Sequence, residues 1–242
     1  MKKFILLLGV SMAIAACAPS STSKTPATVA SESTSSASVT EKTTQAKPIL
    51  ASSDIQAGLN TGKFEQAVFA GGCFWCVESD FEKLEGVVDA VSGYTGGRTK
   101  NPSYKSVSYT ETGHYEAVKV TFDPSVVNYS QLLDYFWHHI DVTDPNGQFC
   151  DKGSSYRTAV FADESQIAIA EQSKNDIAVS KPFDGPVVTE ILPLGPFHIA
   201  EDYHQDYYKT NPVRYARYRI GCRRDARLKQ LWGQSEFYGS GK

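Results

Sequence analysis

Phe64-Glu65-Gln66-Ala67-Val68-Phe69-Ala70-Gly71-Gly72-Cys73-Phe74-Trp75-Cys76-Val77-Glu78-Ser79-Asp80-Phe81 changes its period halfway along. Phe64 to Ala70 is a short apolar run of the kind that forms a buried strand, and Gly71-Gly72 ends it. Past the glycines, Cys73, Val77, Phe81 and Leu84 recur at the spacing of one helical face. A strand that hands over to a helix through a glycine pair is the opening of an α+β unit.

The flanking sequence continues that alternation. Val87 to Tyr94 reads as a strand, followed by a loop from Thr95 to Pro102. From His114 to Phe122 the chain alternates, with Glu116, Val118, Val120 and Phe122 on one side and Ala117, Lys119 and Thr121 on the other. Ser130 is in position to cap a helix carrying Leu132, Leu133, Phe136, Trp137 and Ile140. A strand over Arg157–Ala162, a helix over Glu164–Val179 and a strand over Val187–Leu192 follow. After Pro196 the chain turns short, aromatic and irregular, and no glycine-rich nucleotide fingerprint or internal repeat appears.

Composition bounds what this domain does. The chain has 242 residues, 41% hydrophobic and 12% aromatic, enough for a packed core. Its 24 basic and 27 acidic side chains give a net charge of −3 without a basic block, so a nucleic-acid partner is not expected. Five cysteines are too few for a disulfide scaffold and odd for simple pairing.

The N-terminus accounts for the odd one. Lys2 and Lys3 precede the apolar run Phe4 to Ala16, which ends in small residues before Cys17. That run is shorter than the roughly 20 residues that cross a bilayer, and it has the layout of a secretory signal peptide. Ile14-Ala15-Ala16-Cys17 resembles a bacterial lipobox, which implies acylation of Cys17 after cleavage. The expected organisation is a signal peptide over 1–16, a lipid-anchored disordered Ser/Thr-rich linker over 17–60 and a catalytic domain over 61–242. The expected location is the bacterial cell envelope, on the periplasm-facing outer membrane if the host is Gram-negative.

The densest chemical signal is Gly71-Gly72-Cys73-Phe74-Trp75-Cys76. A thiol at a helix N-terminus faces unpaired backbone N–H groups and the positive end of the helix dipole, both of which favour the thiolate. No Ser, Thr, Asp or Asn stands at the cap, so Cys73 itself is expected to be the anion that meets those donors. Gly71 and Gly72 leave room for another molecule to approach the backbone. Cys76, three residues on, has the spacing of a resolving thiol. By itself Cys-x-x-Cys fits half a zinc site, a thioredoxin-like redox pair or a structural disulfide. Glu116 is the natural acid: an apolar strand face desolvates its carboxyl, raises its pKa and keeps a proton available near neutral pH.

Gly-Cys-Phe-Trp at a strand-to-helix turn resembles the signature of the A-type peptide methionine sulfoxide reductases. The resemblance runs on through Gly93-Tyr94-Thr95-Gly96-Gly97, Asn101-Pro102-Ser103-Tyr104 and Thr112-Gly113-His114-Tyr115-Glu116-Ala117-Val118. It continues in Gln148-Phe149-Cys150-Asp151-Lys152-Gly153-Ser154-Ser155-Tyr156-Arg157 and Ala200-Glu201-Asp202-Tyr203-His204-Gln205. It implies reduction of methionine-S-sulfoxide, protein-bound and free, in exported proteins. Cys73 is then the nucleophile and Glu116 the acid. Tyr104 and Tyr156 are implied to hydrogen-bond the sulfoxide oxygen, Phe74 and Trp75 to wall the S-methyl group, and Asp151 to help hold site and substrate. A sulfenic acid on Cys73 would condense with Cys76, and a thioredoxin-like reductant would recycle the disulfide.

Many relatives carry Gly at the position of Cys76 and resolve with tail cysteines. This chain also has Cys222, in Arg219-Ile220-Gly221-Cys222-Arg223-Arg224-Asp225, near Trp232. Cys222 is left as shuttle, resolver or bystander, with Cys76 preferred as first resolver. Cys150 is read as a second-layer thiol or packing residue. His138, His139, His198 and His204 form no ligand-like set with the cysteines, so neither a metal nor another cofactor is expected. The whole points to a two-layer α+β sandwich with a mixed or antiparallel sheet, a ferredoxin-like core and an irregular C-terminal tail, working as a monomer. Two other readings fit the residues alone: a general thiol–disulfide oxidoreductase using Cys73 and Cys76, and a non-catalytic zinc-binding lipoprotein.

Overall fold

The computed structural model describes residues 50–233; the signal-peptide and lipidation expectations, including Cys17, lie outside the described residues. Its first element, helix α1 (Ser52–Asn60), falls in the stretch read as linker. The linker reading followed from low apolar content, but α1 seats Gly58 under the Phe64 ring, so packing rather than composition orders it.

The core is built on β1 (Glu65–Gly71), α2 (Phe74–Phe81), β2 (Val87–Thr95), β3 (Tyr115–Phe122), α4 (Tyr129–His138) and β6 (Thr158–Ala162). A short helix α3 (Tyr104–Tyr109) precedes β3, and a hairpin of β4 (Gly147–Gln148) and β5 (Asp151–Lys152) precedes β6. Then follow α5 (Ile167–Ser180), β7 (Glu190–Pro193), β8 (His198–Ile199), α6 (Tyr207–Thr210), α7 (Pro212–Gly221) and α8 (Arg224–Trp232). Strand order in the six-stranded sheet is β7-β6-β1-β3-β2-β8. Its middle four strands are antiparallel in the β-α-β-β-α-β order of a ferredoxin-like core, and only β7 joins in parallel, against β6. The expected α+β sandwich with a mixed sheet is the fold observed.

One face of the sheet presents Ala67, Phe69, Val118, Val120, Phe122 and Val160 to helix residues Phe74, Phe81, Leu132, Leu133 and Phe136, all nearly inaccessible. The other face carries a smaller cluster around Val68, Ala117, Ala159 and Phe161, with Phe197 against it. The period-2 pattern of β3 therefore puts Glu116 on the helix-covered face. Among the described residues no helix is long and apolar enough to cross a membrane.

Local departures have local causes. Asn128, not Ser130, caps α4, because its side chain and that of Gln131 each accept the other's backbone N–H at 3.0 and 2.9 Å. Helix α3, unforeseen in the sequence, starts at a reciprocal box between Ser103 and Ser106. The C-terminal region is not irregular: α6, α7 and α8 fill it. Helix α7 buries Tyr215 and α8 buries Arg224 beside Leu228 and Leu231, so a hydrophobic count catches only part of the pattern. Pro212 at the first position of α7 was the readable start signal.

Candidate active site

The site forms where β1 ends. Gly72 has φ +84°, and a Cβ there would stand 2.5 Å from Cβ of Gln148. Glycine is thus needed for a close approach, but what approaches is the chain's own β4–β5 hairpin rather than a second molecule. Gln148 locks that hairpin in place: its amide donates to the Asp141 carbonyl at 2.8 Å and accepts from the Asp141 N–H at 2.8 Å. The hairpin in turn carries Cys150 and Asp151, and the short 3-10 turn after it ends at Tyr156.

Cys73 is the N-cap residue of α2, but its side chain makes no capping hydrogen bond. The Phe74 N–H donates instead to Oε2 of Glu116, 3.0 Å away. This overturns the expectation that Cys73 is the anion of the helix terminus. Burial pushes the Cys73 thiol well above its ordinary range, with the Cys76 thiol and the Glu116 carboxyl adding to the rise and the Tyr218 hydroxyl opposing it. Cys73 is 6% exposed and Cys76 2%, and both are free thiols.

Glu116, 2% exposed, has its pKa pushed up to about 8 by burial, against the pull of the Phe74 N–H and with Asp151 raising it further. The Tyr156 hydroxyl, acting on the same carboxyl, favours the charged form. A carboxyl with that pKa is mostly protonated at pH 7 while bound to the backbone N–H of the residue that follows Cys73. Tyr104, at the start of α3, is near enough to both that Glu116 and Cys73 each raise its hydroxyl, after burial.

An aromatic shell closes around this group. The Phe74 ring lies 6.5 Å from Tyr104 and 5.0 Å from His204. Trp75 stacks on Tyr207 at 3.7 Å and meets the edge of Tyr218 at 5.7 Å. The Trp75 indole N–H donates to Nδ1 of His204 at 2.9 Å, and burial keeps His204 toward its neutral form. Glu201 joins the pieces, accepting from the Tyr104 N–H at 2.9 Å and from the Tyr94 hydroxyl at 2.9 Å.

Cys73, Cys76, Phe74, Trp75, Tyr104, Glu116, Asp151 and Tyr156 are therefore brought together. Cys222 is not among them: it forms a disulfide with Cys150. Cys150 is accordingly no mere packing thiol, which corrects that expectation. Its partner was within reach of simple counting, since setting aside Cys17 and the Cys73–Cys76 pair leaves these two of five cysteines. Tyr218 was missed altogether: from α7 it donates to the Asp151 carboxylate and acts on Cys73. Nothing in its sequence surroundings marks it except a place one helical turn before Cys222.

A family model for peptide methionine sulfoxide reductase matches residues 65–236. Peptide methionine sulfoxide reductase MsrA 2 of Caulobacter vibrioides is 53% identical over 171 residues, 71% of this chain and 87% of that protein. The MsrA of Bacillus licheniformis is 51% identical over 173 residues, 71% of this chain and 96% of the relative. Among solved structures, reduced Mxr1 of Saccharomyces cerevisiae superposes with a TM-score of 0.59 at 31% identity, covering 62% of this chain and 87% of that one.

Proposed function

The chain belongs to the peptide methionine sulfoxide reductase family, and from that premise we propose how its residues share the work. It reduces methionine sulfoxide, as S epimer, to methionine through a cysteine sulfenic acid and an intramolecular disulfide that a thioredoxin-like donor reduces. The Cys73 sulfur attacks the sulfoxide sulfur while Glu116 delivers its proton to the sulfoxide oxygen. The thiol proton of Cys73 passes to the Glu116 carboxylate, so methionine leaves, Cys73 holds the hydroxyl as sulfenic acid, and Glu116 ends protonated. A raised thiol pKa is compatible with this, because the pair starts and ends with two protons. Tyr104 and Tyr156 donate to the oxygen, Phe74 and Trp75 wall the methyl group, and Asp151 holds Tyr218 at the rim.

Cys76 then resolves Cys73. The free state of Cys76 and the engagement of Cys222 with Cys150 favour that choice. Cys150 is exposed and Cys222 half-buried, whereas the inner pair is buried, so a protein dithiol meets the outer disulfide first. The donor reduces Cys150–Cys222, and the two thiols released there reduce Cys73–Cys76 by exchange. The observation that carries the reading is the Glu116 carboxyl, protonated near neutral pH, bound to the backbone beside the Cys73 sulfur. Turnover of dabsyl-methionine-S-sulfoxide with dithiothreitol should disappear in Cys73→Ser; retained turnover ends this assignment.

The lipoprotein form rests on Lys2, Lys3, the Phe4–Ala16 run and the lipobox-like Ile14-Ala15-Ala16-Cys17. With it come a place in the cell envelope and exported, oxidised proteins as substrates. The mass of the mature N-terminal peptide should equal an acylated Cys17; an unmodified Cys17 or a retained leader contradicts it.

A further inference from the structure

Cys76 and Asp80 are four residues apart on α2 and so share a face. Two guanidinium groups converge there from the C-terminal helices. Nη1 of Arg219 lies 2.7 Å from Asp80 Oδ1, and Nε of Arg224 lies 3.7 Å from Asp80 Oδ2. The Arg219, Arg224 and Asp80 side chains are 12%, 2% and 5% exposed. Arg219 has a second carboxylate, Asp225, but that one is 55% exposed and screened by water. His139, also facing Asp80, is held toward its neutral form by burial. Two buried guanidinium groups therefore share one buried carboxylate, Asp80, a helical turn from Cys76, and the half-buried Asp151 also faces Arg224.

Arg224 is not free to leave. Its Nη1 donates to the Gly71 carbonyl at 3.2 Å, its Nη2 donates to the His139 carbonyl at 2.8 Å, and its Cζ lies 4.5 Å from the Phe149 ring centroid. Its buried Nε and the Asp80 Oδ2 that faces it at 3.7 Å both lack a hydrogen-bond partner. A buried charge without full compensation is costly, and an anion nearby relieves it.

We propose that Arg224 and Arg219 are the positioning residues that keep negative charge on Cys76, and thereby make it the thiol that resolves the sulfenic acid on Cys73. This rests on the sulfoxide-reductase reading above. Cys76 is packed against Tyr207 and Tyr215. From its own helix Cys73 and Asp80 act on it. From other elements Glu116, Tyr215 and Tyr218 interact with it, and Arg219 and Arg224 supply the positive charge. Its thiol is lowered first by Cys73 and next by Arg224 and Arg219, against burial and Asp80. Arg224 follows Cys222 by two residues, so the segment that ties up a competing thiol also brings the activating charge.

The step balances. The Cys76 thiolate attacks the sulfur of Cys73–SOH, an S–S bond forms and the S–O bond breaks. Hydroxide leaves and takes one proton, from the Glu116 carboxyl, to become water. The sulfenic sulfur is reduced and the Cys76 sulfur oxidised, with no outside reagent.

The test is single turnover of the full enzyme with one equivalent of methionine sulfoxide, quenched across pH. Methionine release and dimedone-trapped sulfenic acid are read from the same samples. In Arg224→Met and in Arg219→Gln the pH midpoint of sulfenic acid decay should rise by about one unit, making decay about tenfold slower below the midpoint. Arg224→Lys should recover most of that loss, and the midpoint of methionine release should stay in place. If Arg224→Met does not fold, Arg219→Gln decides alone. Slower decay with an unmoved midpoint, or no change in decay, overturns the proposal. A wild-type enzyme that releases no methionine overturns the underlying reaction instead.

Discussion

The strand–helix turn and the C-terminal helix pair meet at Cys73, yet different forces hold them. The turn rests on Phe69, Phe74, Phe81, Val118, Val120 and Phe122, each no more than 2% exposed. Helices α7 and α8 rest on Arg219 against Asp80, on Arg224 against backbone carbonyls, on Tyr218 against Asp151 and on the Cys150–Cys222 disulfide. Dispersion and apolar burial hold the platform together without an ion pair or a disulfide. Charges and sulfur make a cover that responds to pH and reductant. The site is thus half scaffold and half chemistry, and the reacting sulfur lies on the seam.

Substitutions on the two sides should differ in kind. Glu116→Gln, on the platform, should keep the fold while turnover with dithiothreitol falls by about a hundred- to ten-thousandfold, the usual range for one general acid. Undiminished turnover would remove Glu116 from the reaction. Phe69→Ala should cost about 3–5 kcal/mol in denaturant unfolding, since the ring touches α2 and α4 partners in the main core. Asp80→Asn should cost a similar amount, about 3–5 kcal/mol, because it leaves the buried Arg224 without its ion-pair partner while Arg219 keeps Asp225. Its effect should appear as faster proteolysis or hydrogen exchange confined to residues 212–232. Uniform loss across the sheet would mean that the two regions are not held separately.

That division also decided what could be read beforehand. The strand, the glycine pair and the α2 face were legible because apolar residues repeat there with a clear period. The alternation of β3 placed Glu116 on the covered face for the same reason. Helix α7 escaped notice because Tyr215 and Arg219 occupy positions where a periodicity search looks for Leu or Val. The protonation of Cys73 was misjudged because the donor at the helix terminus is taken by a residue 42 positions away. Long-range occupancy of that kind leaves no local trace. Tyr218 has no motif of its own, and only its neighbours in space give it meaning.

Glu116 is the joint on which the account turns, and its sign with pH is definite. Burial raises its pKa to about 8, so the proton it must deliver is present at lower pH and withdrawn as pH climbs through that value. The decisive measurement is the rate of methionine release in a single turnover from pH 6 to 10, for wild type and Glu116→Gln. The wild-type rate should fall as pH passes about 8, and the Gln variant should be slow with no such fall. A wild-type rate that is flat or rising through that range, with the Gln variant following the same curve, would contradict the account.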